Sequence, residues 1–150
     1  TPNLLSSVDM EARVRASGLD WVILRGGLFY GPDTSRWEQW NAEAKQRRLA
    51  LPGDGADYAS LIHVDDMAEA VVLATDSAVA RVTLNIVDDA PVTYATLFAH
   101  IARLHGAPPP TPGGPRGAAM ASFRVANTRA REALGWTLRF PDYQRGWTVG

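Results

Sequence analysis

Gly18-Leu19-Asp20-Trp21-Val22-Ile23-Leu24-Arg25-Gly26-Gly27-Leu28-Phe29-Tyr30-Gly31-Pro32 is the stretch that decides the fold. Residues 20–25 form a β-branched, apolar run bounded by glycines, the pattern of a short strand buried on both faces. Upstream, Ser6 or Ser7 caps a helix running to about Ser17, because Val8, Glu11, Ala12, Val14 and Arg15 follow helical spacing and Gly18 supplies a stop. Downstream, Asp33-Thr34-Ser35 offers caps for an amphipathic helix over 36–48, with Trp37, Trp40 and Ala44 on one side. Residues 51–57 are turn chemistry and 58–64 read as extended. Asp66 and Glu69 have capping-box spacing for a helix over 67–75. Residues 82–87 make another strand. Thr93 caps a helix carrying Tyr94, Leu97, Phe98, Ile101 and Leu104, which stops at Gly106. Residues 107–119, rich in Pro, Gly and Ala, form a long loop, and Asn127 or Thr128 opens a short helix ending at Leu134-Gly135.

This order predicts an α/β fold with strands flanked by helices. Three short strands are too few for an independent sheet, so the chain is expected to supply the edge of a sheet begun elsewhere. The start at Thr1-Pro2-Asn3, without Met, fits an excised piece.

Composition narrows the function. The chain has 150 residues, 46% hydrophobic and 21% charged, the balance of one globular domain. A net charge of -1 offers no field to gather nucleic acid or anionic lipid. No apolar run approaches the roughly 20 residues of a bilayer span. Absence of cysteine removes thiolate metal sites and cysteine nucleophiles, and fits a cytoplasmic location. A serine hydrolase is excluded by the lack of a G-x-S-x-G elbow around Ser60 and His63. His63, Asp65 and Asp66 invite a metal, but strand alternation sends neighbours to opposite faces, so no metal is expected. The pairs Asp65-Asp66 and Asp88-Asp89 read as caps and turns, and His100 and His105 as solvated.

Glu11 to Val14, the 18–25 run, Tyr30-Gly31-Pro32, His63-Val64-Asp65-Asp66-Met67-Ala68 and Leu134-Gly135-Trp136 together resemble the C-terminal half of the NAD-dependent epimerase/dehydratase family, an extended or atypical branch of the short-chain dehydrogenase/reductases. The resemblance implies that residues 1–150 are the C-terminal part of a Rossmann-like NAD(P)-binding fold, with the smaller substrate-side subdomain. NAD or NADP is the cofactor it implies for the full-length protein. The glycine-rich dinucleotide loop has no counterpart: Gly53-Asp54-Gly55 lacks the third glycine and reads as a turn.

In that family a Tyr moves the proton, its pKa lowered by a Lys four positions on. Counting back from Glu11 puts Asn3 at the Tyr position and Ser7 at the Lys position, and neither can carry the role. No other Tyr is followed by Lys at that distance. The resemblance brings Gly26, Gly27 and Leu28 toward the nicotinamide, although the family commonly has Pro where Gly26 stands. The alternative is that both glycines merely permit a tight strand exit. Phe29, Tyr30, Trp37, His63 and Arg124, with Tyr58, are candidate substrate-pocket residues. Sugar-nucleotide members carry an Arg where this chain has Ala59 or Ser60.

Two functions are consistent with these residues. One is the substrate-side half of an NAD(P)-dependent oxidoreductase, epimerase or dehydratase, inactive as the isolated chain and acting on a small molecule. The other is a non-catalytic cofactor- or ligand-binding regulatory member lacking the Tyr/Lys relay. The first helix offers Leu4, Leu5, Val8 and Ala12 for a homodimer or for packing on its own sheet.

Overall fold

A computed structural model describes residues 2–114 and 122–148, and the side chains from residue 5 onward within them. Helix α1 (Pro2–Ala16) precedes strands β1 (Val22–Gly26) and β2 (Leu28–Tyr30), then α2 (Ser35–Lys45) and β3 (Ala50–Pro52). Strands β4 (Tyr58–Ala59) and β5 (Leu61–His63) run into α3 (Val64–Asp76). After β6 (Val82–Ile86) and β7 (Val92–Thr93) come α4 (Tyr94–Leu104), β8 (Thr111–Gly114), α5 (Thr128–Leu134) and α6 (Tyr143–Gly146).

The eight strands pair two by two. β1 lies parallel to β6, with Val22 opposite Val82 and Gly26 opposite Ile86. β2 lies parallel to β5, with Leu28 opposite Leu61 and Tyr30 opposite His63. β3 and β8 are parallel and β4 and β7 antiparallel. The chain changes partner at Gly27, whose amide donates to Ile86 O at 2.9 Å while the next amide, of Leu28, donates to Ser60 O at 2.8 Å. A Cβ at Gly27 would stand 2.6 Å from Ser60 O and 3.0 Å from Val87 Cγ1, so only glycine fits this crossover.

Alternation along β5 separates two cores. Leu61 joins Tyr30, Trp40, Tyr94, Phe98 and Trp147 in an aromatic core beneath α2 and α4. Ile62 joins Leu84, Ile86, Ala130, Leu134 and Trp136, which α3 and α5 cover. Within the first core Trp147 lies between Tyr30, at 5.4 Å and 7°, and Trp40, at 5.8 Å and 15°. Its Nε1 donates to Asn41 Oδ1 at 3.2 Å. Helix α4 is placed as its sequence requires: Thr93 Oγ1 accepts from the Thr96 amide, and Leu97, Phe98 and Ile101 point inward.

Several expectations are corrected. Strand β1 is half-buried at Val22, Ile23 and Leu24 and exposed at Arg25 and Gly26, because among the described residues it pairs with β6 alone. Asp66 does not cap α3. That helix starts at Val64, with His63 as its cap, and the fully buried Asp66 carboxylate accepts the Arg139 and Phe140 amides at 2.8 and 2.9 Å. Helix α1 begins at Pro2, ahead of both serines. Part of the 107–119 loop is β8, and residues 115–119 lie outside the described part. His100 is buried by α6, edge-on to Tyr143 at 5.1 Å, instead of solvated, and His105 Nε2 lies 2.8 Å from Asn41 Oδ1. No described helix is long and apolar enough to cross a membrane.

Candidate functional site

Helix α1 is fastened to β1 through one carboxylate. Glu11 Oε1 accepts from Arg25 Nε at 2.8 Å and Oε2 from Arg25 Nη2 at 2.7 Å, while Arg15 Nη2 reaches the same Oε2 at 2.7 Å. The Arg25 hydrogen bonds above all hold the Glu11 carboxyl down to about 2. Arg15 also donates to Thr83 Oγ1 at 3.1 Å. Arg15 thus meets the middle of the ribbon and Glu11 meets its carboxyl end, so α1 runs antiparallel to β1. The preceding helical turn, which carries exposed Ser7, therefore projects past Gly26. Asn3 lies one turn further, and its side chain is outside the described part.

At that strand end Gly26 is exposed and the Phe29 ring leans over it: a Cβ on Gly26 would come within 2.7 Å of Phe29 Cε2. Phe29 remains 41% exposed. The amides of Gly27 and Leu28 are already used by Ile86 and Ser60, so Gly27 has a purely structural reason to be glycine. The Phe29 ring thus fills the space that a side chain at position 26 would take, and the sequence has no glycine-rich loop opening a helix, the usual seat of a pyrophosphate.

Beside β4, residues 122–125 are laid down by backbone bonds: the Phe123 amide donates to Tyr58 O at 2.8 Å, and Ser60 Oγ accepts from the Val125 amide at 2.9 Å. This holds the Arg124 guanidinium 4.7 Å above the Tyr58 ring. Ser60, which with Ala59 stands where the sequence pattern of sugar-nucleotide members has an Arg, is committed to the backbone, its Oγ also donating to Phe123 O at 3.0 Å.

A cleft of about 450 Å³ opens beyond β2 and β5, lined by Pro32, Asp33, Thr34, Trp37, His63, Val64, Asp65, Phe140, Gly146 and Thr148. His63 is its buried polar group. Its ring lies 3.9 Å from Phe140 and edge-on to Tyr30 at 5.2 Å. Nδ1 accepts from the Asp65 amide at 3.2 Å, which leaves the neutral ring's proton on Nε2. Burial lowers the His63 pKa and keeps that neutral form. Tyr30 is not in the lining: it has no exposed surface, its hydroxyl donates to Asp142 O at 3.3 Å, and burial raises its pKa well above that of an ordinary phenol. Behind it, buried Asp88 accepts from the Ala90 amide through Oδ1 while Oδ2 has no partner, and burial pushes its pKa to about 8.

The structure thus brings Gly26 to Phe29, Tyr58 to Arg124, and Trp37 to His63, and sends Tyr30 to the core. Sequence reasoning missed Asp33 and Phe140. Asp33 sits at φ 64, and the Gly-Pro turn before it was the signal, since Asp tolerates that conformation. Phe140 gave none, because its place depends on the distant Asp66. Among the described residues no group of three metal-ligating side chains exists.

Comparison with known proteins places these features. The pattern of the NAD dependent epimerase/dehydratase family matches residues 4–87. A 3-diazoavenalumate denitrifying reductase from a Streptomyces species is 34% identical over 151 residues, spanning 92% of this chain and 49% of the relative. The chain thus spans about half the length of that relative. The UDP-glucose 4-epimerase of Thermotoga maritima, solved with UDP-glucose, superposes with a TM-score of 0.77 at 23% identity, covering 93% of this chain and 47% of that one. The UDP-glucose 4-epimerase of Thermus thermophilus, solved with NAD, gives 0.73 at 22% identity, covering 94% and 48%. These likenesses show the Rossmann-like fold.

Proposed function

Because the chain belongs to the NAD-dependent epimerase/dehydratase family, we propose that it forms the substrate-side half of an NAD(P)-dependent oxidoreductase, epimerase or dehydratase of the short-chain dehydrogenase type. The observation that carries this reading is the antiparallel seating of α1 on β1 through Glu11 and Arg25, which aims the Ser7 turn past the strand end at Gly26. Bound NAD or NADP would supply the hydride chemistry. On this chain, Gly26, Gly27 and Leu28 shape the edge against which the nicotinamide rests, and Phe29 covers it from water. Trp37 and His63 seat the substrate, Arg124 borders it from the β4 side, and Tyr30 acts from behind as a support for His63.

Reduction is favoured over sugar-nucleotide epimerisation by the 34% identical reductase and by Ala59 and Ser60 standing where sugar-nucleotide members carry Arg. The isolated chain is inactive in this reading, since it lacks the pyrophosphate loop and carries Asn3 and Ser7 in place of the Tyr/Lys relay. Those two residues favour a second reading, a non-catalytic member that binds cofactor or ligand for regulation. A cytoplasmic setting agrees with the cysteine-free sequence. Pairing of two first helices is supported by Leu5 and Val8, which are 72% and 66% exposed.

The test is NADH and NADPH consumption, followed at 340 nm, by the protein that includes the glycine-rich half. Turnover with a carbonyl or diazo substrate supports the oxidoreductase. Saturable binding without turnover of any offered substrate supports the regulatory reading. Absence of binding by either dinucleotide contradicts both.

A further inference from the structure

The cleft beside His63 has a chemistry of its own. Its apolar walls are the Trp37 indole, the Phe140 ring, Pro32 and Val64, a lining that suits an aromatic ring. Two side-chain N–H donors on lining residues make no hydrogen bond to a described residue. Trp37 Nε1 is buried and unbonded, and His63 Nε2 carries the proton that the Asp65 amide denies to Nδ1. The His63 side chain is 4% exposed, so its orientation is fixed by Tyr30 and Phe140 and not by solvent.

The charged residues of the lining, Asp33 and Asp65, are acidic, and Arg139 stands 5.2 Å over the Phe140 ring. Asp65 is shared with Arg139, 3.9 Å away, and faces His63 Nδ1 at 3.8 Å, whereas Asp33 makes no ion pair among the described residues. Asp66, in the first turn of α3, is turned away and spent on the Arg139 and Phe140 amides. Thr34 Oγ1 donates to Gly31 O at 2.7 Å and adds no free donor. A phosphate or carboxylate entering here would meet the Asp33 carboxylate, and no described lining residue carries a positive charge to offset it. A carbonyl oxygen would accept from His63 Nε2–H without that repulsion.

We infer that the cleft binds a flat, uncharged aromatic compound through a carbonyl oxygen on His63 Nε2–H, and that it excludes phosphorylated and carboxylated ligands. This rests on reading the cleft as the substrate's seat and names the class of substrate.

The test uses the 15N-labelled 150-residue chain, with benzamide, benzoate and uridine diphosphate as probes and the Trp37 indole N–H signal, identified by Trp37→Phe, as readout. Benzamide is expected to shift that signal saturably, with benzoate at least tenfold weaker and uridine diphosphate without effect. His63→Asn keeps an acceptor for the Asp65 amide but has no N–H at the Nε2 position, and should weaken benzamide about tenfold. His63→Gln, which restores a donor there, should bind benzamide as the unaltered chain does. Asp33→Asn should bring benzoate up toward benzamide. Saturable binding of uridine diphosphate, or benzoate binding as tightly as benzamide, overturns the uncharged-ligand assignment while leaving the cleft as a seat. Equal weakening by Asn and Gln overturns the role of Nε2. A Trp37 signal that none of the three probes moves overturns the cleft reading itself.

Discussion

Around Trp147 the large side chains are sealed: Tyr30, Leu61, Leu97 and Ile101 have no exposed surface, and the rings of Trp40, Tyr94 and Phe98 meet one another edge to face. Along the β1–β6 ribbon the same kind of apolar sequence closes on one side only. Val22 and Leu24 stay half-buried, and the neighbouring helices leave Leu5, Val8, Val71 and Val72 in solvent. Parallel strands in globular proteins are ordinarily covered on both faces. The difference therefore separates a closed aromatic subdomain, which shapes the cleft, from a ribbon left open on one side.

The comparison can be broken at several points. Trp147→Ala should cost the most, about 3–5 kcal/mol by urea denaturation, since it empties the space between Tyr30 and Trp40. Asp66→Ala should cost about 2–4 kcal/mol, because the amides of Arg139 and Phe140 lose their buried acceptor and the segment that walls the cleft is released. Leu24→Ala on the ribbon should cost only about 1 kcal/mol, a small fraction of the Trp147 effect, because a half-buried side chain has less to lose. A loss at Leu24 equal to that at Trp147 would mean that the ribbon is as closed as the core.

Two smaller effects sharpen the contrast. Asp88 titrates near 8 in the folded chain against 3.8 as a free side chain, so the folded state holds the extra proton. Its contribution is complete below pH 3.8 and is lost as pH rises toward and through 8. Melting temperature should decline over that range, and Asp88→Asn should flatten the decline. His63 and His100 act in the opposite sense: burial lowers both pKa values, so their stabilisation is present above pH 6.5 and is lost as pH falls. Glu11→Gln should change global melting least, yet make α1 the first site of limited proteolysis, as Arg25 and Arg15 lose their shared carboxylate.

The legible parts of this molecule are those whose cause is local. Thr93 before a helical stripe gave α4, Gly135 at φ 61 ended α5 as its position foretold, and the Val22 to Arg25 run gave β1. Asp66 misled because its capping-box spacing is local while its use is not: its partners lie more than 70 residues on, at Arg139 and Phe140. For the same reason the cleft was only half visible. Trp37 and His63 stood out as residue types, but Tyr30 left the lining once Trp147 arrived from the chain end to stack on it. β8 was hidden in a Pro/Gly-rich stretch, where pairing with β3 and not side-chain pattern makes the strand.

Backbone amide hydrogen exchange on β1 and β5 tests the division most directly. In the 150-residue chain the amides of Val22 to Gly26 should exchange much faster than those of Leu61 to His63, and in a protein that also carries the glycine-rich half they should slow to match. Equal protection of the two strands in the 150-residue chain would contradict the account, because the ribbon would then need nothing beyond itself.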